Sequence, residues 1–173
     1  MNMKPIAVLA GLALLAGCQS TPEGPQRATA SLKPTKAGKA SGEVTFEQVR
    51  GKVRVVANVA GLRPNQEHGF HIHEAGDCSS GDGMSTKGHF NPQGKPHAHP
   101  TSSERHAGDL PALKADSAGR AKLEVEMDII TVSPGPTSVV GRGLIVHADP
   151  DDYRTQPTGN AGARIACGVI NAG

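Results

Sequence analysis

The 173-residue chain has no tryptophan, three phenylalanines and one tyrosine. A core built around large rings is therefore excluded, and packing must come from Val, Ile, Leu and Ala on short elements. Convincing amphipathic helices are absent, as are internal repeats. No block of like charge appears. The formal net charge is +2, and removing Lys4, which lies in the N-terminal leader, leaves +1. That balance carries no nucleic-acid footprint. A membrane-spanning run is also missing: the longest apolar stretch, Ile6 to Ala16 broken only by Gly11, is too short to cross a bilayer. Glycine (22) and proline (13) are plentiful, so short strands joined by many turns, an all-β domain, is the expectation.

Lys4, the apolar run and the following Gly17-Cys18 have the shape of an export signal. Leu15-Ala16-Gly17-Cys18 resembles a bacterial lipobox, in which the leader is cut before the cysteine and that cysteine is acylated. The resemblance implies a leader over residues 1–17, a lipid-anchored Cys18, a tether over 18–27 and a folded domain over 28–173. Acyl chains hold a membrane by burying methylene groups. Gln19 after the cysteine favours, by the same resemblance, the outer membrane and its periplasmic face. The alternative is an ordinary signal peptide with a cysteine near its cut site. Cys78 and Cys167 then remain, an even pair in an oxidising setting, as a disulfide or as two free thiols. A disulfide would close a loop of about 90 residues, worth roughly 4 kcal/mol against the unfolded chain.

Strands are legible by their period of two. Ala28 to Leu32 starts the first, and Val44 and Phe46 open the second. Arg50-Gly51-Lys52 turns into a third, where Val53, Val55, Ala57 and Val59 alternate with polar residues up to Ala60. Ala121 to Ile129 alternates most cleanly, and Val139 to His147 and Arg164 to Ile170 are the last two. Between Glu74 and Gly108 there is no periodicity, and Pro92, Pro96 and Pro100 exclude helix and central strand. So long a structureless stretch is uncommon unless it is functional.

Eight histidines against one tyrosine is a lopsided ratio, and imidazole is the commonest metal ligand among side chains. In Gly69-Phe70-His71-Ile72-His73-Glu74 a strand would turn His71 and His73 to one face, about 7 Å apart, and Phe70 and Ile72 to the other. The aperiodic stretch holds four more histidines, so metal ligation is a way to order it. Beyond the pair, the candidate ligands are His89, His97, His106, Asp109 and His147, each in a loop or at a strand end.

Five segments in order, GFHIHEAGDC at 69–78, GHFNP at 88–92, RHAGDL at 105–110, GRGLIVHADPDD at 141–152 and GNAGARIACGVI at 159–170, resemble the copper/zinc superoxide dismutases. The resemblance runs from about Ala28 to Ile170. It implies an eight-stranded Greek-key antiparallel β-barrel with long metal-binding loops. It implies copper ligands at His71, His73, His89 and His147, and zinc ligands at His89, His97, His106 and Asp109, with His89 bridging. Asp151 matches a carboxylate that joins a copper-ligand histidine to a zinc-ligand one, and Arg164 matches the guanidinium that holds the anion. Cys78 and Cys167 match the family's disulfide. A filled set of three imidazoles and a carboxylate suits a closed, structural zinc site, and imidazoles suit copper.

The implied activity is dismutation of superoxide to oxygen and hydrogen peroxide, with Arg164 and His89 as the catalytic residues. A copper-storage module on the same fold is one rival, although storage gains nothing from Arg164. A zinc hydrolase is another, although it needs an open metal position. The loop from His147 to Arg164 is shorter than in well-known eukaryotic members, so their steering charges do not transfer; Lys87 and Lys95 are the local candidates. His68 is expected to be structural or exposed, and His99 stays unassigned within reach of a metal. The oligomeric state, monomer or homodimer, is open.

Overall fold

The computed structural model describes residues 26–173; the leader and Cys18 lie outside them. Ten strands form: β1 (Arg27–Pro34), β2 (Ser41–Val49), β3 (Lys52–Ala60), β4 (Glu67–His68), β5 (Phe70–His73), β6 (Leu113–Lys114), β7 (Ala121–Met127), β8 (Gly143–His147), β9 (Arg164–Val169) and β10 (Asn171–Ala172). Eight make one curled antiparallel sheet in the order β5-β8-β9-β1-β2-β3-β7, with β10 beside β1, while β4 and β6 pair separately. This architecture is the expected all-β Greek-key barrel. β1 joins the two walls, because its first part pairs β2 and its last two residues pair β9.

The period-two pattern decides what faces inward. Ala28, Ala30 and Leu32 of β1, Val44 and Phe46 of β2, and Val53, Val55, Ala57 and Val59 of β3 are all buried. Phe70, Ile72, Leu144, Val146 and Ala166 supply the opposite wall. With so few rings available, Phe46 fills much of the middle, and Phe46→Ala would cost about 3–5 kcal/mol.

Three strands are shorter than expected. β7 ends at Met127, β9 ends at Val169, and Val139 lies in a turn before β8, although it is buried. Gly141, at φ 79°, redirects the backbone there and donates its N–H to the Ile170 carbonyl at 2.8 Å.

One feature of the sheet positions the site. The outer edge of β5 is covered by the aperiodic stretch, which blocks pairing with other chains. Ile72 donates to the Gly108 carbonyl (2.9 Å), and Phe90 donates to the Ile72 carbonyl (2.8 Å). His73 thereby lies opposite His89, and His71 opposite Asp109. The approach requires glycine at 108, since a Cβ there would overlap the Ile72 carbonyl oxygen.

Candidate metal centre

β5 turns His71 and His73 to one side, their ring centroids 6.3 Å apart. β8 brings His147 alongside, and the edge-covering stretch brings His89. One ring nitrogen from each of His71, His73, His89 and His147 lies within 4.8 Å of the other three, and all four residues are buried. A second group of His89, His97, His106 and Asp109 meets the same limit and is also buried. His89 belongs to both.

Hydrogen bonds fix which nitrogen each ring offers. Nε2–H of His71 donates to Asp151 Oδ2 at 2.7 Å, Nδ1–H of His73 to the Lys87 carbonyl at 2.9 Å, and Nδ1–H of His147 to the Gly162 carbonyl at 3.2 Å. The opposite atoms, His71 Nδ1, His73 Nε2 and His147 Nε2, therefore carry lone pairs, and they are buried without a protein partner. His89 Nε2 is in the same condition. Four partnerless buried nitrogens facing one another are what a cation would satisfy.

Charge follows the same division. Burial, then the neighbouring charges of His89, Arg164 and His147, holds His73 well below the usual imidazole range. Burial and then His71 do the same for His147. Burial also lowers His89 to about 4, against the opposing effect of its hydrogen bond to Asp109. His73, His89 and His147 thus stay neutral near pH 7 and ready to ligate.

The second group is built around a carboxylate. Asp109 Oδ1 lies 3.0 Å from His89 Nδ1, 2.9 Å from His97 Nδ1 and 3.5 Å from His106 Nδ1. Burial opposes its ionisation, but bonds from His106, His89 and His97 outweigh that and hold its carboxyl far below the usual range. His97 goes the other way: burial lowers it, yet Asp109 and Asp151 together raise it to about 9.

Asp151 ties the groups together, accepting from His71 through Oδ2 and from His97 Nε2 through Oδ1 at 2.9 Å. Arg164, at the start of β9, is held by the loop before His89. Nη1 donates to the Gly83 carbonyl (2.7 Å) and Thr86 Oγ1 (2.8 Å), and Nη2 to the Lys87 carbonyl (2.7 Å). Its charge reaches both His73 and His147. Cys78 and Cys167 form a disulfide across 89 positions, fastening the start of that loop to β9.

The remaining candidates are placed as follows. His68 is buried and donates Nδ1–H to the His147 carbonyl at 2.8 Å. His99 lies outside both groups, exposed, with its ring 4.6 Å from that of Tyr153. Lys87 is paired with Glu74 (3.5 Å) and Lys95 with Glu104 (2.7 Å) on the exposed surface. Gln156, which no pattern in the sequence singled out, hydrogen-bonds to the main chain of His97.

The comparisons agree in kind. The family described as copper/zinc superoxide dismutase (SODC) matches residues 40–170. "Superoxide dismutase [Cu-Zn] 2" of Aquifex aeolicus (strain VF5) is 39% identical over 167 residues, 94% of this chain and 96% of that protein. "Superoxide dismutase [Cu-Zn]" of Paramecium bursaria Chlorella virus 1 is 41% identical over 156 residues, 82% of each. The solved structure titled "Crystal Structure Analysis of the clock protein EA4" superposes with a TM-score of 0.78 at 42% identity, covering 86% of this chain and 95% of that one.

Proposed function

The chain belongs to the copper/zinc superoxide dismutase family of oxidoreductases, with superoxide as substrate and copper and zinc as cofactors, and from that premise we propose a role for each residue of the centre. His71, His73, His89 and His147 would hold the copper. His89, His97, His106 and Asp109 would hold the zinc, with His89 a member of both sets. The observation that carries this is the convergence of four buried ring nitrogens that have no protein partner. The donor types fit as well. Neutral imidazoles suit copper, while imidazoles with one carboxylate make a closed zinc set.

Copper, when bound, supplies the one-electron couple by which one superoxide becomes oxygen and a second, with two protons, becomes hydrogen peroxide. The chain's own residues do the rest. Arg164 holds the anionic substrate: loop carbonyls and Thr86 fix its guanidinium, so no reorganisation is needed as the anion arrives. Its remaining N–H groups, which have no protein partner among the described residues, face that task. His89 would pass one proton to the second superoxide from Nε2 whenever that nitrogen is not engaged by copper, because its Nδ1 is committed to the zinc group. Asp151 orients His71 and His97 together, so the two halves keep a common geometry.

The reading extends to location. Export to the periplasmic face of the envelope, with an acylated Cys18 as outer-membrane anchor, is supported by the lipobox-like segment and by the Cys78–Cys167 disulfide, since such bonds persist in oxidising compartments.

The test is superoxide consumption by protein loaded with copper and zinc, compared with zinc-only protein. Activity that requires copper is expected. Stoichiometric copper binding without turnover would replace this reading with copper storage.

A further inference from the structure

The loop at Gly159 covers the Asp151–His97 bond, and one side chain of this cover, Gln156, grips the main chain of His97 without being a ligand itself. The main-chain N–H of His97 donates to Gln156 Oε1 at 2.8 Å, and Gln156 Nε2 donates back to the His97 carbonyl at 2.7 Å. The side-chain amide thus does what a neighbouring strand would do. His97 needs this, because Pro96 and Pro100 keep its segment out of any sheet. Among the described residues no other group bonds to either main-chain atom of His97.

Through this grip the backbone of His97 is held where its ring can reach two carboxylates at once, Asp109 by Nδ1 and Asp151 by Nε2. The same cover closes on that ring. Gly159, at φ 68°, packs so tightly that a Cβ there would overlap Asp151 Oδ1 and come within 2.6 Å of His97 Nε2.

We propose that Gln156 is a positioning residue of the zinc half of the centre: it sets the main chain of His97, and its loss speeds the escape of zinc although no ligand has been removed. The inference rests on the assignment of His97 to zinc made above. It also gives the shortened loop between His147 and Arg164 a use. That loop reaches the zinc ligand with a neutral amide.

Gln156→Met tests this, because it keeps length and volume while removing both hydrogen bonds. Gln48→Met is the control. Gln48 makes an equivalent double bond far from the centre, donating to the Lys52 carbonyl and accepting from Val132 N–H, each at 3.0 Å. The first readout is the rate at which copper/zinc-loaded protein loses zinc to an excess of chelator. The second is the visible spectrum of protein carrying cobalt(II) in the zinc position.

Gln156→Met is expected to lose zinc on the order of tenfold faster than the parent and to change the cobalt band intensities, while Gln48→Met matches the parent in both. Equal zinc loss in Gln156→Met and the parent would overturn the proposal, as would equal acceleration by Gln48→Met. His97→Ala separates the two levels of argument. If that variant retains zinc like the parent, the ligand assignment itself fails, and the role of Gln156 fails with it.

Discussion

His73 and Arg164 donate to the same acceptor, the carbonyl oxygen of Lys87, at 2.9 and 2.7 Å. One peptide group therefore sets both the tautomer of a proposed copper ligand and the position of the proposed anion-binding guanidinium. The two cannot move independently.

Arg164→Ala accordingly has a consequence beyond lost charge. Turnover at low superoxide falls by on the order of 100-fold, and its dependence on ionic strength weakens, because a fixed positive charge no longer draws the anion in. Copper content stays near that of the parent, since no ligand is removed. Arg164→Lys recovers only part of the activity, because an ammonium cannot span the Gly83, Thr86 and Lys87 acceptors as a planar fork does. Steady-state rates at several salt concentrations check this. An Arg164→Ala enzyme with parental rate and salt dependence would remove Arg164 from the mechanism.

Asp151→Ala strips the acceptor from two buried ring N–H groups, those of His71 and His97. Each is left buried and unpaired, and the tautomer of His71 is no longer fixed. Affinity for metal falls about 10- to 100-fold in both halves of the centre. Competition against chelators of graded strength measures it for copper and zinc separately. A loss confined to one metal would contradict the joint role.

The metal-free protein has a pH dependence of definite sign. Asp109 and Asp151 raise His97 from its ordinary 6.5 to about 9 in the folded state. A group raised by folding contributes stability that is fully present below its unfolded value and is lost as pH climbs through its folded one. The His97 contribution thus stands below about pH 6.5 and declines toward pH 9. Zinc must displace that proton, so zinc binding near pH 7.5 releases a proton, and affinity rises with pH up to about 9. Calorimetric titration in two buffers of different ionisation enthalpy counts the proton. Binding with no proton release at pH 7.5 would show that His97 is already neutral.

Reduction of the Cys78–Cys167 disulfide removes a covalent closure across 89 positions. The loss is worth roughly 4 kcal/mol in the chain-entropy model, and Tm falls by on the order of 10 °C. Differential scanning calorimetry of the Cys78→Ser/Cys167→Ser protein, metal-free, measures it. The disulfide also tethers the loop that seats Arg164, so the pair variant loses activity at temperatures where it is still folded. A variant with parental Tm would mean that loop closure contributes little.

What could be read from the chain followed from periodicity. Alternation along Lys52–Ala60 and Ala121–Met127 specified strands and their buried faces, and the two-residue spacing of His71 and His73 put them on one side of β5. The path from Glu74 to Gly108 had no such signal. It is ordered by partners distant in sequence: β5 backbone at Ile72, the guanidinium of Arg164, the amide of Gln156 and the disulfide. His68 shows the same limit. Its burial and its bond to the His147 carbonyl depend on an element 79 positions away, and no local pattern announces it. Motif resemblance supplied what periodicity could not, which is the distribution of ligands between two ions.

The central claim is that one imidazole, His89, stands between two different metal ions. Crystals of copper- and zinc-loaded protein, with anomalous data collected at both absorption edges, test it directly. The account predicts one copper peak at His89 Nε2, shared with His71, His73 and His147, and one zinc peak at His89 Nδ1, shared with His97, His106 and Asp109. A single metal peak, or two peaks with His89 bound to only one of them, would contradict it.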